Sequence, residues 1–152
     1  GNRKNENVYD TIVIHYHGGG FIALSSCTSQ SYTRKWANAL RVPVFSVDYG
    51  KPPEFRFPTP VLDCLDAYNF ISTQIHKYVN IRPTRIFVAG DSAGGNLACS
   101  LTALTLKLQM QVPSGLLLAY PAVDTRTKFT PSRINSFNDV ILYPTLLLLC
   151  MQ

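Results

Sequence analysis

Charge is scarce in this chain: Asp, Glu, Lys and Arg make up 15% of its 152 residues, against 46% hydrophobic. So apolar a composition excludes a disordered tail, which needs few apolar residues and a high charge. Long hydrophobic runs are equally lacking. The longest candidate, residues 140–151, falls short of the roughly 20 apolar residues that cross a bilayer and is broken by Pro144. No transmembrane segment is expected. The four cysteines (Cys27, Cys64, Cys99, Cys150) form no CxxC pair and have no histidine at ligand spacing. That excludes a zinc site and, at so low a density, points to a reducing compartment rather than a disulfide scaffold. The net charge of +5 comes from residues strung singly along the chain, among them Arg34, Arg41, Lys51, Arg56, Lys77 and Lys107. Scattered charge is a solvated surface, so no nucleic-acid partner is expected. Residues 1–6 have no apolar stretch behind them, so no signal peptide is expected. The chain opens on Gly1 and stops within an apolar run. It is expected to be one domain, incomplete at its carboxyl end.

Four short apolar runs alternate with three helical patterns. The runs are residues 11–16, 42–48, 85–89 and 115–120, and all are continuously apolar rather than alternating. Continuous apolarity means both faces are covered, as in a parallel sheet with helices on each side. Between them, Tyr32, Trp36 and Leu40 mark a helix over 29–41. A second is predicted with Thr59 as its cap and Pro60 in its first turn. Its face is Val61, Leu65, Tyr68, Ile71, Ile75 and Tyr78, and Asp63 and Asp66 sit near its positive end. A third follows Ser92 and carries Leu97, Leu101, Leu104 and Leu108. The fold class is α/β, with a central parallel sheet. Ile141, Leu142, Leu146 and Leu149 could line one face of a last helix, as core or acyl-pocket wall. A membrane-surface role is less well supported, because no Lys or Arg lies opposite them.

The strongest chemical signal is Gly90-Asp91-Ser92-Ala93-Gly94-Gly95, between the third strand and the third helix. A GxSxG pattern alone says little, but a strand before it and a helix after it define a nucleophile elbow. Gly90 and Gly94 are required because side chains there would strike the neighbouring strand and helix. A phosphate loop would need Lys-Ser/Thr after its last glycine, and here Asn96-Leu97 follow Gly95. The second signal is His17-Gly18-Gly19-Gly20, whose glycines can turn several N–H groups toward one oxyanion. Gly18, Gly20 and Ala23, with Asp48 ending the next strand, also satisfy a relaxed dinucleotide fingerprint. That fingerprint must open directly into a helix, and the helical pattern here begins only near Ser29. No cofactor is expected.

A glycine bend after one strand and a serine elbow two strands later form one catalytic centre in α/β-hydrolases. The runs His15-Tyr16-His17-Gly18-Gly19-Gly20-Phe21, Asp48-Tyr49 with Pro53-Glu54 and Phe57-Pro58, and the elbow closely resemble the hormone-sensitive lipase family of α/β-hydrolases. Ala119-Tyr120-Pro121-Ala122 and Ser132-Arg133 lie nearer the family's namesake than its bacterial esterase or arylacetamide deacetylase branches. The resemblance spans residues 8–147 and implies the amino-terminal part of a catalytic domain. It implies a carboxylic ester hydrolase with Ser92 as nucleophile. The N–H groups of Gly18, Gly19, Gly20 and Ala93 would form the oxyanion hole, with Gly19 and Gly20 foremost. His17, Gly90, Asp91 and Gly94 would support the motifs. Asp48-Tyr49 and Pro53-Glu54 would fix the adjoining loop, and Lys51-Pro52 replaces the usual Leu-Ala, a structural and mild departure. Substrates would be uncharged esters (acylglycerols, sterol esters or short acyl esters). The implied location is cytoplasmic, with contact to a lipid surface such as a droplet.

One component is missing. A serine hydroxyl needs a histidine to take its proton, and in α/β-hydrolases that base follows the serine. His15, His17 and His76 all precede Ser92, and His76 is expected on the surface. Asp124 and Asp139 follow it, and neither is assigned as the acid. The 152 residues by themselves are expected to be inactive, or to be a truncated non-catalytic remnant that binds lipid or a partner.

Overall fold

The computed structural model describes residues 8–126, 130–139, 141, 143, 145 and 150. Strand β1 (Tyr9–Tyr16) is followed by helix α1 (Gln30–Leu40), strand β2 (Val44–Val47) and helix α2 (Thr59–Thr73). Strand β3 (Ile81–Asp91), helix α3 (Ala93–Lys107), strand β4 (Gly115–Ala119) and the short helix α4 (Pro131–Asn135) complete the order. The strands form one parallel sheet in the order β2-β1-β3-β4. The α/β class expected from the continuous apolar runs is the one observed.

Alternation along β1 assigns the helices to opposite faces. His15 meets Tyr32 and Trp36 of α1 on one side. Tyr16 points to the other, where its hydroxyl donates to the Cys64 carbonyl of α2 at 3.1 Å. The core lies on that second side, where Ile12, Ile14, Ile86 and Val88 of the sheet pack with Tyr68 and Ile71 of α2 and Leu97 and Leu101 of α3. α1 covers its face more thinly: of its own residues only Thr33 is buried, and the expected face residue Leu40 is 59% exposed.

Several boundaries differ from the sequence reading. β2 is four residues rather than seven, and β3 extends to Ile81 at its start and Asp91 at its end. Thr59 is the first helical residue of α2, and Pro58 stands at the cap position without a side-chain bond. The helix stops at Thr73, short of Tyr78, where the Ser72 and Thr73 hydroxyls donate to the Asn69 carbonyl at 3.1 and 2.6 Å. A 3-10 turn, Ile75–Lys77, carries on, so Ile75 stays buried while His76 and Tyr78 face solvent. Asp63 does not serve the helix end either: its Oδ2 accepts the Gly50 N–H at 2.8 Å and pins the loop after β2. On α3, Leu97 and Leu101 are buried but Leu108, beyond the last helical residue, is exposed. Near the carboxyl end Ser136–Asn138 forms a 3-10 turn, and Ile141 of the expected last helical face is exposed. Leu142, Leu146 and Leu149 lie outside the described residues.

Candidate active site

Ser92 links the end of β3 to the start of α3. Its φ of 52° and ψ of −117° are strained for a residue with a Cβ. The strain is held in place from both sides. The Ser92 N–H donates to the Ala119 carbonyl of β4 at 3.0 Å, and its carbonyl accepts from Asn96 N–H at 3.2 Å and Ala122 N–H at 3.0 Å. The Asn96 side chain adds a bond to the Ala122 carbonyl at 2.7 Å. No close approach is tighter than at Gly94, where a Cβ would run into the Tyr16 carbonyl of β1. The half-buried Ser92 hydroxyl makes no capping bond to its own helix and stands at the helix's positive end.

The glycine bend leaves β1 beside the elbow, because Tyr16 and Gly90 are paired in register across the β1–β3 ladder. Gly19 has φ 112° and Gly20 φ 63°. The Gly19 carbonyl accepts from Ile22 and Ala23 N–H at 3.2 and 2.9 Å, closing a tight turn. The three amides differ in what they do. Gly18 N–H donates to Asp91 Oδ1 at 3.2 Å, so it is committed to that carboxylate and is not a free donor. Among the described residues the amides of Gly19 and Gly20 have no hydrogen-bond partner. Ala93 N–H, at the first helical position, has none within the helix either.

Two further groups brace the bend. Asp91 Oδ1 also accepts the Tyr32 hydroxyl at 3.1 Å and lies 3.5 Å from His15 Nε2. Burial pushes the Asp91 carboxyl up, but the bonds from His15, Tyr32 and Gly18 more than offset it and hold the group below its ordinary value. On the other side, His17 Nδ1 donates to the Gly18 carbonyl at 2.6 Å, and its ring stacks on Tyr49 at 4.3 Å. The Tyr49 hydroxyl donates to the His17 carbonyl at 2.8 Å. His17 Nε2 is buried 3.3 Å from Asp48 Oδ1, an oxygen already taken by Lys51 Nζ at 2.8 Å. Burial, helped by the Lys51 charge, lowers the His17 pKa despite the pull of Gly18 and Asp48, so the ring is neutral near pH 7. His15 and His17 are thus both engaged in holding the bend.

Beside the bend and the first turns of α2 and α3 opens a cleft of about 770 Å³, lined by Phe21, Ile22, Phe57, Val61, Asn96 and Leu97 among others. Its walls mix apolar side chains with Arg56, Asn96, Ser100 and Thr125. Among the described residues no cluster of His, Cys, Asp or Glu could hold a metal ion, and no helix is long and apolar enough to cross a membrane. Asp124 pairs with Arg126 at 2.7 Å on the surface.

The serine elbow, the glycine bend and the parallel sheet are features of one class of protein. The chain belongs to the α/β hydrolase fold family, whose signature matches residues 13–151. Within it, the chain is similar to hormone-sensitive lipase of Mus musculus, with 36% identity over 141 residues that make up 93% of this chain and 18% of that protein. Human arylacetamide deacetylase-like 2 is 35% identical over 86% of this chain and 34% of its own length. Among solved structures, the hyperthermophilic esterase of Pyrobaculum calidifontis superposes with a TM-score of 0.89 at 34% identity, over 98% of this chain and 49% of that one. The thermostable carboxylesterase EstE1, from a metagenomic library, gives 0.88 at 31%, over 96% and 50%. The family resemblance read from the motifs is borne out. The chain spans about half of these esterases and less than a fifth of the lipase.

The motifs pointed to Ser92 and to the bend; they missed Tyr32, and they counted His15 only as a histidine on the wrong side of the serine. The signal available was weak: a histidine two residues before His17, and a tyrosine facing the sheet from α1.

Proposed function

We propose that this chain carries the nucleophile and oxyanion side of a serine carboxylic ester hydrolase. The observation that supports the reading is that a strained Ser92, at a helix N-terminus, follows the strand paired with the one that carries the bend, whose Gly19 and Gly20 amides have no hydrogen-bond partner among the described residues. Ser92 Oγ attacks the ester carbonyl carbon. The carbonyl oxygen becomes an oxyanion and takes N–H bonds from Gly19, Gly20 and Ala93. Such donors act where charge develops, and losing one costs about 10²–10³ in rate. Collapse of the intermediate breaks the ester bond, releases the alcohol with a proton and leaves Ser92 acylated; water then frees the acid. The cleft's apolar side chains, Phe21, Ile22, Phe57, Val61 and Leu97, suit an uncharged acyl or alcohol group, as in acylglycerols, sterol esters or short acyl esters.

No histidine follows Ser92, and the two near the bend are engaged with Gly18 and Asp91. The 152 residues alone therefore lack a base for the serine, and their hydrolysis falls to the roughly 10³-fold over water that an oxyanion site retains without its triad. The same observation favours a second reading, a non-catalytic remnant that binds lipid or a partner through its apolar surface. A fluorophosphonate probe on the full-length protein tests the first: label on Ser92 that disappears in Ser92→Ala supports it. Label that persists in that variant overturns it. Lipid-vesicle binding without any Ser92 labelling would favour the second.

A further inference from the structure

The buried histidine on the α1 side of the sheet has no place in the ester mechanism, yet it is built into a directed chain of hydrogen bonds. Ser46 Oγ of β2 lies 2.9 Å from His15 Nδ1. His15 Nε2 lies 3.1 Å from the Tyr32 hydroxyl, which in turn is 3.1 Å from Asp91 Oδ1. The end of the chain sets its direction. An ionised carboxylate only accepts, so the Tyr32 O–H must donate to Asp91. Its oxygen then accepts from His15 Nε2–H, and His15 Nδ1, left with a lone pair, accepts from the Ser46 O–H. Three dipoles in line polarise one another toward the carboxylate. That carboxylate oxygen is the one that holds the Gly18 N–H. The rings are locked as well as the protons: His15, 1% exposed, meets Tyr32 and Trp36 edge-on at centroid distances of 5.4 and 5.8 Å.

From this we infer that His15 and Tyr32 are positioning residues for the oxyanion bend, acting through Asp91 on the Gly18 amide. Neither touches the elbow serine. By fixing the Asp91 oxygen they fix where the bend leaves β1, and so where the Gly19 and Gly20 amides stand. The inference rests on the oxyanion reading for its effect on catalysis, but the grip on Gly18 is measurable without any reaction.

The test uses the full chain, with Tyr32→Phe and Ser46→Ala. The first removes one hydroxyl and keeps the ring; the second removes the far donor, three hydrogen bonds away from Asp91. Amide hydrogen exchange at Gly18 is expected to quicken about tenfold in Tyr32→Phe and about two- to threefold in Ser46→Ala, with Ile14 and Val88 unchanged. Ester turnover or Ser92 labelling should slow in the same order, with KM held. Unchanged Gly18 exchange in both variants would overturn the inference, as would an equal rise at Gly18, Ile14 and Val88, which marks general loosening. If Tyr32→Phe does not fold, Ser46→Ala decides by the same criteria. Persistent labelling in Ser92→Ala would instead remove the nucleophile reading and leave the Gly18 result standing.

Discussion

At the residue scale the bend is held by groups whose charge states differ, and acid should loosen it in two stages. Burial holds His17 below its ordinary 6.5, so as the pH falls the unfolded chain takes that proton first. A state that binds more protons gains as pH drops; the His17 contribution is therefore complete above 6.5 and declines below it. Asp91 is partly buried and Asp48 exposed; the loss of solvation is outweighed at Asp91 by its hydrogen bonds, and at Asp48 by the bond and charge of Lys51, which hold both below 3.8. Their contribution is present above 3.8 and is lost as the pH falls through their lowered values. Urea midpoints measured from pH 7.5 down should show both declines. His17→Asn, which keeps a donor for the Gly18 carbonyl but does not titrate, should remove the upper one only. An unaltered slope just below pH 6.5 in that variant would contradict a buried neutral histidine.

At the scale of elements, the difference between apolar spacing and real burial is testable on one helix. Leu101 is fully buried against the sheet while Leu108, seven residues on, is 53% exposed past the end of α3. Leu101→Ala should cost about 3 kcal/mol in denaturant unfolding, and Leu108→Ala under about 0.5 kcal/mol. That contrast shows how far the elements were legible. Strand identity could be read from the β-branched runs, and the elbow from the strand and helix around it. The end of α2 could not, because Ile75 keeps helical spacing and burial through the 3-10 turn that follows the helix. Gly18 was legible as a glycine of the bend but not as an amide already occupied. Its partner Asp91 is 73 residues away, brought near only by the pairing of β1 with β3. The His15–Tyr32–Asp91 group was hidden for the same reason, since three elements must assemble before any of its bonds exists.

For the whole molecule, the sheet order leaves β2 and β4 as edges, and β4 presents Leu117 at 59% exposure with Tyr120 and Val123 beyond it. Unpaired, apolar strand edges are templates for association. The 152-residue chain is expected to self-associate as its concentration rises, read as apparent mass by light scattering. Leu117→Lys should shift that onset upward severalfold, and a monomer at every concentration in the parent chain would refute the expectation.

The β1–β3 ladder also acts as a ruler. Ser92 and the glycine bend are set by separate strands, and the pairing of Tyr16 with Gly90 is what fixes their relative height. Sliding one strand by a single residue moves its end about 3.3 Å, roughly the length of a hydrogen bond. An insertion or deletion within residues 11–16 or 85–89 would leave the glycine bend and the elbow intact in sequence while shifting the Gly19 and Gly20 amides relative to Ser92. On the proposed oxyanion reading, strand length is then as critical to the site as the residues named in it.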